Sequence, residues 1–448
     1  RVTTSSPLPM STFQHLHLEI PKCDKPRVVI IGGGFAGIQV AKSLRHEPYQ
    51  IVLLDRHNYH TFQPLLYQVA TAGLEPDSIA GALRQLFENH KDFYFRMARV
   101  TGIDLEDKKI KTLVGELGYD MLIIANGSKT NYFGDKKMYD RTFPMKQVPQ
   151  ALDLRSHMLQ NFEQTVMSRE PEEKDRLTNF VIVGGGPTGV EVAGALGELK
   201  KHVLPKDYPD INFDIMKLHL VDGGPRLLAG MSEKSSAKAM QYLQEFGVDV
   251  RMNTRLADYD GRDVTLTDGT VIPTKTVIWA AGVTGNIIDG LPKETVERGR
   301  ILVDEFNQLI GYDDVYAIGD IAMMKTDEMP NGFPMVAPVA MQQAENLGKN
   351  LKRKLRGKSY VGFRYKDKGS MATIGRNRAV VDLPKFHFGG FFAWLVWMFV
   401  HLMSIVGFRN RLVVLSNWIW GYMTYDRGTR LIIRTFLRNN KYKPGDTL

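Results

Sequence analysis

Short, largely apolar runs recur along this chain, separated by stretches whose apolar residues follow a helical period. The runs cover residues 28–31, 51–54, 119–124, 180–183, 217–221, 277–280 and 314–318. Each is too short for a buried helix, and all but 217–221, where Lys217 and His219 alternate with leucines, lack the polar alternation of a half-exposed strand. They predict strands buried on both faces, as in a parallel sheet covered by helices. Their ends carry turn chemistry. The run 119–124 stops at Ala125-Asn126-Gly127, the run 277–280 leads into Ala281-Gly282, and the run 314–318 stops at Gly319-Asp320.

Two of the runs feed straight into a glycine fingerprint, Gly32-Gly33-Gly34-Phe35-Ala36-Gly37 and Gly184-Gly185-Gly186-Pro187-Thr188-Gly189. In each, the first glycine (Gly32, Gly184) permits a tight turn and the second (Gly34, Gly186) lets backbone approach a pyrophosphate. The third (Gly37, Gly189) lets the following helix pack on its strand. A phosphate at such a turn meets free N–H groups and the positive end of a helix. The strand after each fingerprint ends in an acid, Asp55 and Asp222, where a ribose hydroxyl partner is expected. One chain is therefore expected to hold two dinucleotides. Asp222 favours NADH over NADPH, with Arg226 close by as the contrary signal. Glu191, two residues past Gly189, reads either as a first-turn helix-dipole partner or as a carboxylate near the nicotinamide.

The chain has 448 residues, a formal charge of +9 and one cysteine, Cys23. That length accommodates several domains with real cores. A single cysteine rules out a redox disulfide, a disulfide framework and a cysteine-ligated metal centre, and no metal is expected. Electrons must then leave on a diffusible acceptor. Residues 1–26 are polar, contain no signal-like apolar stretch, and are expected to be an N-terminal extension.

The segment Asn58-Tyr59-His60-Thr61-Phe62-Gln63-Pro64-Leu65-Leu66-Tyr67-Gln68-Val69-Ala70 gives the pattern its most specific content. Together with Thr130-Asn131-Tyr132-Phe133-Gly134 and Ala337-Pro338-Val339-Ala340-Met341-Gln342-Gln343, it resembles the type II NADH:quinone oxidoreductases. These single-subunit alternative NADH dehydrogenases are flavoproteins with two dinucleotide-binding domains. The resemblance spans about residues 27–440. It implies an α/β fold with two Rossmann-like domains of glutathione-reductase type, the second inserted in the first, and a C-terminal amphipathic helical membrane-anchoring region. Expected boundaries are 27–150 and 291–365 for FAD binding, 151–290 for NADH binding, and 366–448 for the quinone site and membrane anchor.

The resemblance also implies roles. Non-covalent FAD would meet Gly32, Gly34, Gly37, Asp55, Phe62, Pro64, Ala125, Gly127, Gly319 and Asp320, the last on the ribityl chain. Asn126 stands where the family usually has Thr. NADH would meet Gly184, Gly186, Gly189, Glu191, Asp222, Ala281 and Gly282. A quinone, ubiquinone or menaquinone, would meet Ala337, Pro338, Met341, Gln342 and Lys368, with Glu191, Gln342 and Lys368 as candidate catalytic groups. The family's usual Ala-Gln-x-Ala-x-Gln reads Ala-Pro-Val-Ala-Met-Gln here, so the role of its first glutamine does not transfer to Pro338. The bland alternatives are core packing for Met341 and Gln342 and a surface position for Lys368.

Charge is concentrated at the end. From Lys385 onward nine Lys/Arg face two acids, Asp426 and Asp446, and four of the five tryptophans lie in the same segment. Leu, Ile, Val, Phe and Met fill the spaces between, which points to a lipid surface rather than nucleic acid. Residues 389–408 would reach ~30 Å as a helix, enough to cross a bilayer, but His401, Ser404 and three glycines make a poor span. Arg427, Arg430, Arg434 and Arg438 recur at helical spacing beside Leu431, Ile432, Ile433, Phe436 and Leu437. They predict an amphipathic helix in the headgroup plane, with a soluble helix on a core or dimer interface as the alternative. The expected location is peripheral on an inner or cytoplasmic membrane, facing cytosol or matrix, as a homodimer. Two rival readings remain open. One is a soluble NAD(P)H-dependent reductase of a ferredoxin- or rubredoxin-type acceptor; the other is an NADH-sensing flavoprotein.

Overall fold

A computed structural model describes residues 15–425 and 428–442. The apolar runs form two five-stranded sheets of the same design. The first has the order Val315–Ala317, Met121–Ile124, Arg27–Ile31, Gln50–Asp55, Phe93–Met97. The second runs Phe143–Pro144, Thr276–Trp279, Phe180–Val183, Leu218–Val221, Val248–Arg251. All pairings in both are parallel. Parallel strands need crossovers, and the helices that supply them bury both faces, which is why the strands read as largely apolar runs.

In the first domain the crossover after Arg27–Ile31 is helix α1 (Phe35–Ser43). Segment 58–70 ends in the short helix α2 (Leu66–Ala70). The chain then passes to the second sheet at Phe143–Pro144 and runs along the 20-residue helix α3 (Val148–Met167). The second sheet thus gains its edge strand ahead of residue 151. Helix α4 (Pro187–Glu198) follows the second fingerprint and continues as a π-helical turn, Leu199–Val203. The outgoing and returning connections pair with each other, Ser128–Thr130 antiparallel to Val283–Gly285. That ladder fixes the two sheets with their carboxyl ends near one junction.

After the first sheet closes, helix α5 (Ala337–Leu355) packs on α1. An antiparallel sheet of Ser370–Thr373, Ala379–Leu383 and Phe386–Gly390 follows, and then helices α6 (Phe391–Ser404) and α7 (Phe408–Thr424). Ala393, Trp397, Ile405 and Val414 from this region join the core of the second domain, together with Phe143, Phe162 and Leu196. The C-terminal helices are therefore seated on the nucleotide domain. No helix among the described residues is long and apolar enough to cross a membrane.

The amphipathic helix expected from Arg427 to Arg438 is corrected by the structure. Residues 428–437 form no regular helix, and Arg427 lies outside the described residues. The segment instead runs along α3 as a strap. Phe436 is buried against Phe143 and His157, and its backbone exchanges hydrogen bonds with the Gln160 side chain. Arg430 pairs with Asp207, and Arg438 donates to the carbonyls of Arg141 and Lys275. Tyr442 donates its N–H to Asp153, and its hydroxyl lies 3.3 Å from His57 Nε2. The arginine spacing satisfies a helix, but fixed partners on the second domain take these side chains one by one. An extended chain gains ~3.3 Å per residue and reaches all of them; a helix, gaining 1.5 Å, would not.

Candidate functional site: two nucleotide turns and an aromatic wall

The first turn is shaped by sterics. Gly32 has φ +106°, and a Cβ there would lie 2.4 Å from the Ala125 carbonyl oxygen. At Gly37 a Cβ would lie 1.8 Å from the Gly32 carbonyl oxygen, so the first turn of α1 can lie this close to the glycine turn only because Gly37 has no side chain. Gly34 and Gly127, by contrast, face open space. Gly33 donates its N–H to Asp55 Oδ2 at 2.6 Å, and His57 donates to Oδ1 at 2.7 Å. Burial pushes the Asp55 carboxyl up, and those two N–H groups pull against it. Phe62 is buried edge-on to Phe35, and Pro64 is half-buried in the turn before α2.

Gly319, with φ +77°, places Asp320 at the edge of the same cleft. Asp320 Oδ2 accepts from Ser128 Oγ at 2.5 Å and lies 3.5 Å from Lys146 Nζ. The buried Arg300 guanidinium is held by the Ala322 carbonyl, and its Nε has no partner among the described residues. Asn126 donates to the Asn286 carbonyl and leaves its buried Oδ1 unpaired. Open backbone at Gly34 and Gly127, an orphaned acceptor at Asn126 and a carboxylate flanked by cations fit a dinucleotide with ribose and phosphate groups. Ser128, Lys146 and Arg300 carry no motif and were invisible to sequence reasoning.

The second turn repeats the first. A Cβ at Gly184 would lie 2.3 Å from the Ala280 carbonyl oxygen, and one at Gly189 1.8 Å from that of Gly184. Gly186 faces open space. Gly185 donates to Asp222 Oδ2 and Gly224 to Oδ1, both at 2.6 Å. Arg226 is turned away, donating to the carbonyls of Met231 and Ala229. Ala281 is half-buried and Gly282 exposed with φ +134° where the chain leaves the sheet.

Glu191 falls in the second turn of α4, and that turn's N–H groups are already paired within the helix, so the helix-end explanation loses most of its force. It is buried, and desolvation pushes its carboxyl up to about 8 against the Thr373 N–H and the Trp397 indole. The indole N–H faces the carboxyl without completing a hydrogen bond. Trp397 is itself fully buried and stacks on His401 at 4.1 Å. His401 Nδ1 donates to the Trp397 carbonyl, and its ring meets the Phe62 edge at 6.1 Å. Trp418 of α7 donates to Gln68 Oε1 at 2.9 Å, and Gln68 donates to the Tyr67 hydroxyl. An aromatic wall from α6 and α7 therefore closes over segment 58–70, with Glu191 behind it. The aromatic density of the tail was the signal for Trp397, His401 and Trp418; their placement was not readable.

The other predicted groups separate. Ala337 and Pro338 open α5 half-buried, and Met341 is 42% exposed. Gln342 is fully occupied, donating to the Lys366 carbonyl and accepting from its N–H. Gln343, one residue on, is buried and accepts from the Gly319 N–H at 2.8 Å. Gln342 thus clips the loop that carries Lys368, while Gln343 braces the turn before Asp320. Lys368 is exposed, its charge acting on Glu345 of α5. Among the described residues no cluster of three His, Cys, Asp or Glu side chains could hold a metal.

Comparison with known proteins gives the arrangement its setting. Residues 26–344 match the pyridine nucleotide-disulphide oxidoreductase family, and residues 368–424 match the NDH2 C-terminal domain. The Mycobacterium tuberculosis protein named type II NADH:quinone oxidoreductase Ndh is 34% identical, over 90% of this chain and 89% of its own length. The internal alternative NAD(P)H-ubiquinone oxidoreductase A1 of Solanum tuberosum is 31% identical over 91% of this chain and 89% of its own. A solved NDH2 structure from Plasmodium falciparum in complex with NADH covers 92% of this chain and all of its own, at TM-score 0.82 and 22% identity. At that identity the last match speaks for the fold.

Proposed function

The chain belongs to the pyridine nucleotide-disulphide oxidoreductases and, among them, to the type II NADH:quinone oxidoreductases, and from that premise we propose that it works at a membrane surface, passing two electrons from NADH to a quinone. FAD bound at the first turn supplies the redox chemistry between the two substrates. The rest is positioning by this chain. Gly32, Gly34 and Gly37 shape the first phosphate turn, and Gly184, Gly186 and Gly189 the second. Asp55 and Asp222 stiffen these turns through the N–H groups of Gly33 and Gly185. Either acid can offer its carboxylate to a ribose. Asp222, with Arg226 turned away, disfavours an added 2′-phosphate and so supports NADH.

The observation that carries the reading is Glu191. It stands on the helix that opens at the second fingerprint, and its carboxyl faces the Thr373 N–H and the Trp397 indole of the C-terminal region. With its ionisation pushed up to about 8 it holds a proton at neutral pH, and we assign it the lending of that proton toward the quinone side. Gln342 acts by holding the Lys366 backbone, and Lys368 at the loop end offers a charge to the quinone. α6 and α7 carry no acidic residue, and our reading of the reaction includes no proton translocation.

Attachment is read as peripheral, to one leaflet. Phe391, Phe392, Leu395 and Phe399 of α6 and Trp420 and Met423 of α7 are exposed, and the exposed Arg409 in the first turn of α7 offers a charge to anionic headgroups. A homodimer is part of the proposal, to be checked by light scattering in detergent. The decisive experiment mixes the flavin-loaded protein rapidly with NADH, then the reduced protein with a short-chain quinone. Fast bleaching of the flavin band followed by fast quinone-driven recovery is expected. Bleaching without recovery would sink the reading in favour of a protein acceptor or a sensing role.

A further inference from the structure

Arg376 belongs to no motif considered above, yet every nitrogen of its guanidinium is engaged. It sits in the turn between strands Ser370–Thr373 and Ala379–Leu383. Its Nε lies 3.3 Å from Glu198 Oε1, and both side chains are largely buried. Nη1 donates to the Tyr422 carbonyl at 2.9 Å and Nη2 to the Gly421 carbonyl at 2.5 Å. The guanidinium lies 3.8 Å from the centre of the Tyr425 ring, which His202 meets on its own account at 4.6 Å. Gly421 and Tyr422 are in the last turn of α7; the Gly421 carbonyl also accepts from the Tyr425 N–H at 3.0 Å, so Arg376 shares it with the helix end. Glu198 is the last residue of α4 before the π-helical turn. A planar fork suits this task; an ammonium group could not hold a carboxylate and two carbonyls in one plane.

The two helices joined here have very different duties. α4 opens at the second fingerprint and carries Glu191; α7 carries Trp418, whose indole reaches Gln68 one turn before the carbonyls that Arg376 holds. The path is stiff. A Cβ at Gly194 of α4 would lie 2.8 Å from Gly375 N, so the Arg376 turn is pressed directly onto α4. At its start α7 is tied by the hydrogen bonds from Asn410 to the Ala80 carbonyl and from Arg411 to the Ile405 carbonyl.

We propose that Arg376 is a positioning residue for the quinone half-reaction: anchored by Glu198, it registers the last turn of α7 against the nucleotide-binding helix and so sets the Trp418–Gln68 contact on the quinone side. This rests on the reading that the protein reduces a membrane quinone. Arg376 touches no substrate; it acts through α7.

The test uses the full flavin-loaded protein in lipid vesicles with a long-chain quinone, comparing wild type with Arg376→Lys and Glu198→Gln. The expected result is a KM for quinone raised about tenfold, with flavin reduction by NADH within about twofold of wild type, since a positioning error of ~1 Å suffices for large losses. Combining Arg376→Lys with Trp418→Phe should cost no more than the worse single change, because both break one chain of contacts. A folded Arg376→Lys protein with unchanged quinone KM overturns the proposal, as does an equal fall in both half-reactions. If Arg376→Lys does not accumulate, Tyr425→Leu keeps the ion pair, removes the stacked ring, and must show the same split in milder form; an unchanged KM there also overturns it. Should wild type reduce no quinone, the functional reading fails by itself. The contact is then judged by tryptophan emission, which must shift in Arg376→Lys and not otherwise.

Discussion

The two glycine turns of this protein are nearly the same object, and what surrounds them is not. In each, a Cβ at the third glycine would come within 1.8 Å of the first glycine's carbonyl oxygen, and the N–H of Gly33 or Gly185 donates to an aspartate at 2.6 Å. The helices that leave them diverge. α1 packs on α5 within its own domain. α4 packs on α2 and the C-terminal sheet, and buries Glu191 beside Trp397. A fingerprint therefore specifies how phosphate is received, and the far side of its helix decides what the bound nucleotide can be coupled to.

The hardest break in that comparison is steric. Gly37→Val should yield protein without flavin, whereas Gly189→Val should keep its flavin and lose NADH-driven bleaching on the order of 10²-fold. Absorbance of the purified variants and stopped flow read both. A Gly189→Val protein that lost its flavin as well would mean that the sites are not independent.

Phe436→Ala tests how firmly the strap holds the second domain. Removing this buried ring should cost about 3 kcal/mol, seen as earlier proteolysis of the tail and a lower Tm. An unchanged Tm would show the strap to be dispensable.

Asp222→Ser should move the NADPH-to-NADH preference about tenfold, the size of one charged hydrogen bond with repulsion relieved. The ratio of kcat/KM values measures it, and Asp55→Ser should leave that ratio alone.

The gentlest test is pH. A carboxyl raised from its ordinary value to about 8 favours the folded state below the ordinary carboxylate range, and this advantage is lost as pH rises through 8. Glu191→Gln keeps the neutral form at every pH. Its Tm should therefore fall less than that of wild type between pH 6 and 9, by about 2 °C. Parallel curves would place the Glu191 proton elsewhere.

Much of this architecture was legible before any coordinate. Largely apolar runs, two fingerprints and two strand-end acids are local signals, each set by the sterics and hydrogen bonding of a few adjacent residues. They fixed the sheets, the turns and the expectation of two nucleotides. The spacing Arg427, Arg430, Arg434, Arg438 was local too, but there it misled, because Asp207 takes Arg430, the Arg141 and Lys275 carbonyls take Arg438, and Gln160 with the Phe143–His157 pocket takes Phe436 between them. The same limit hid Gln342 from Gln343: adjacent residues on α5 point to different neighbours, and only the neighbours tell them apart. Lys146 beside Asp320, Trp397 beside Glu191 and Arg376 between α4 and α7 join residues far apart in sequence, with no periodicity between them. The chain by itself determined how each nucleotide turn is built, since covalent neighbours supply the constraint. Tertiary structure alone decided what each turn is coupled to, because burial and electrostatics act between whichever groups the fold brings within a few ångströms.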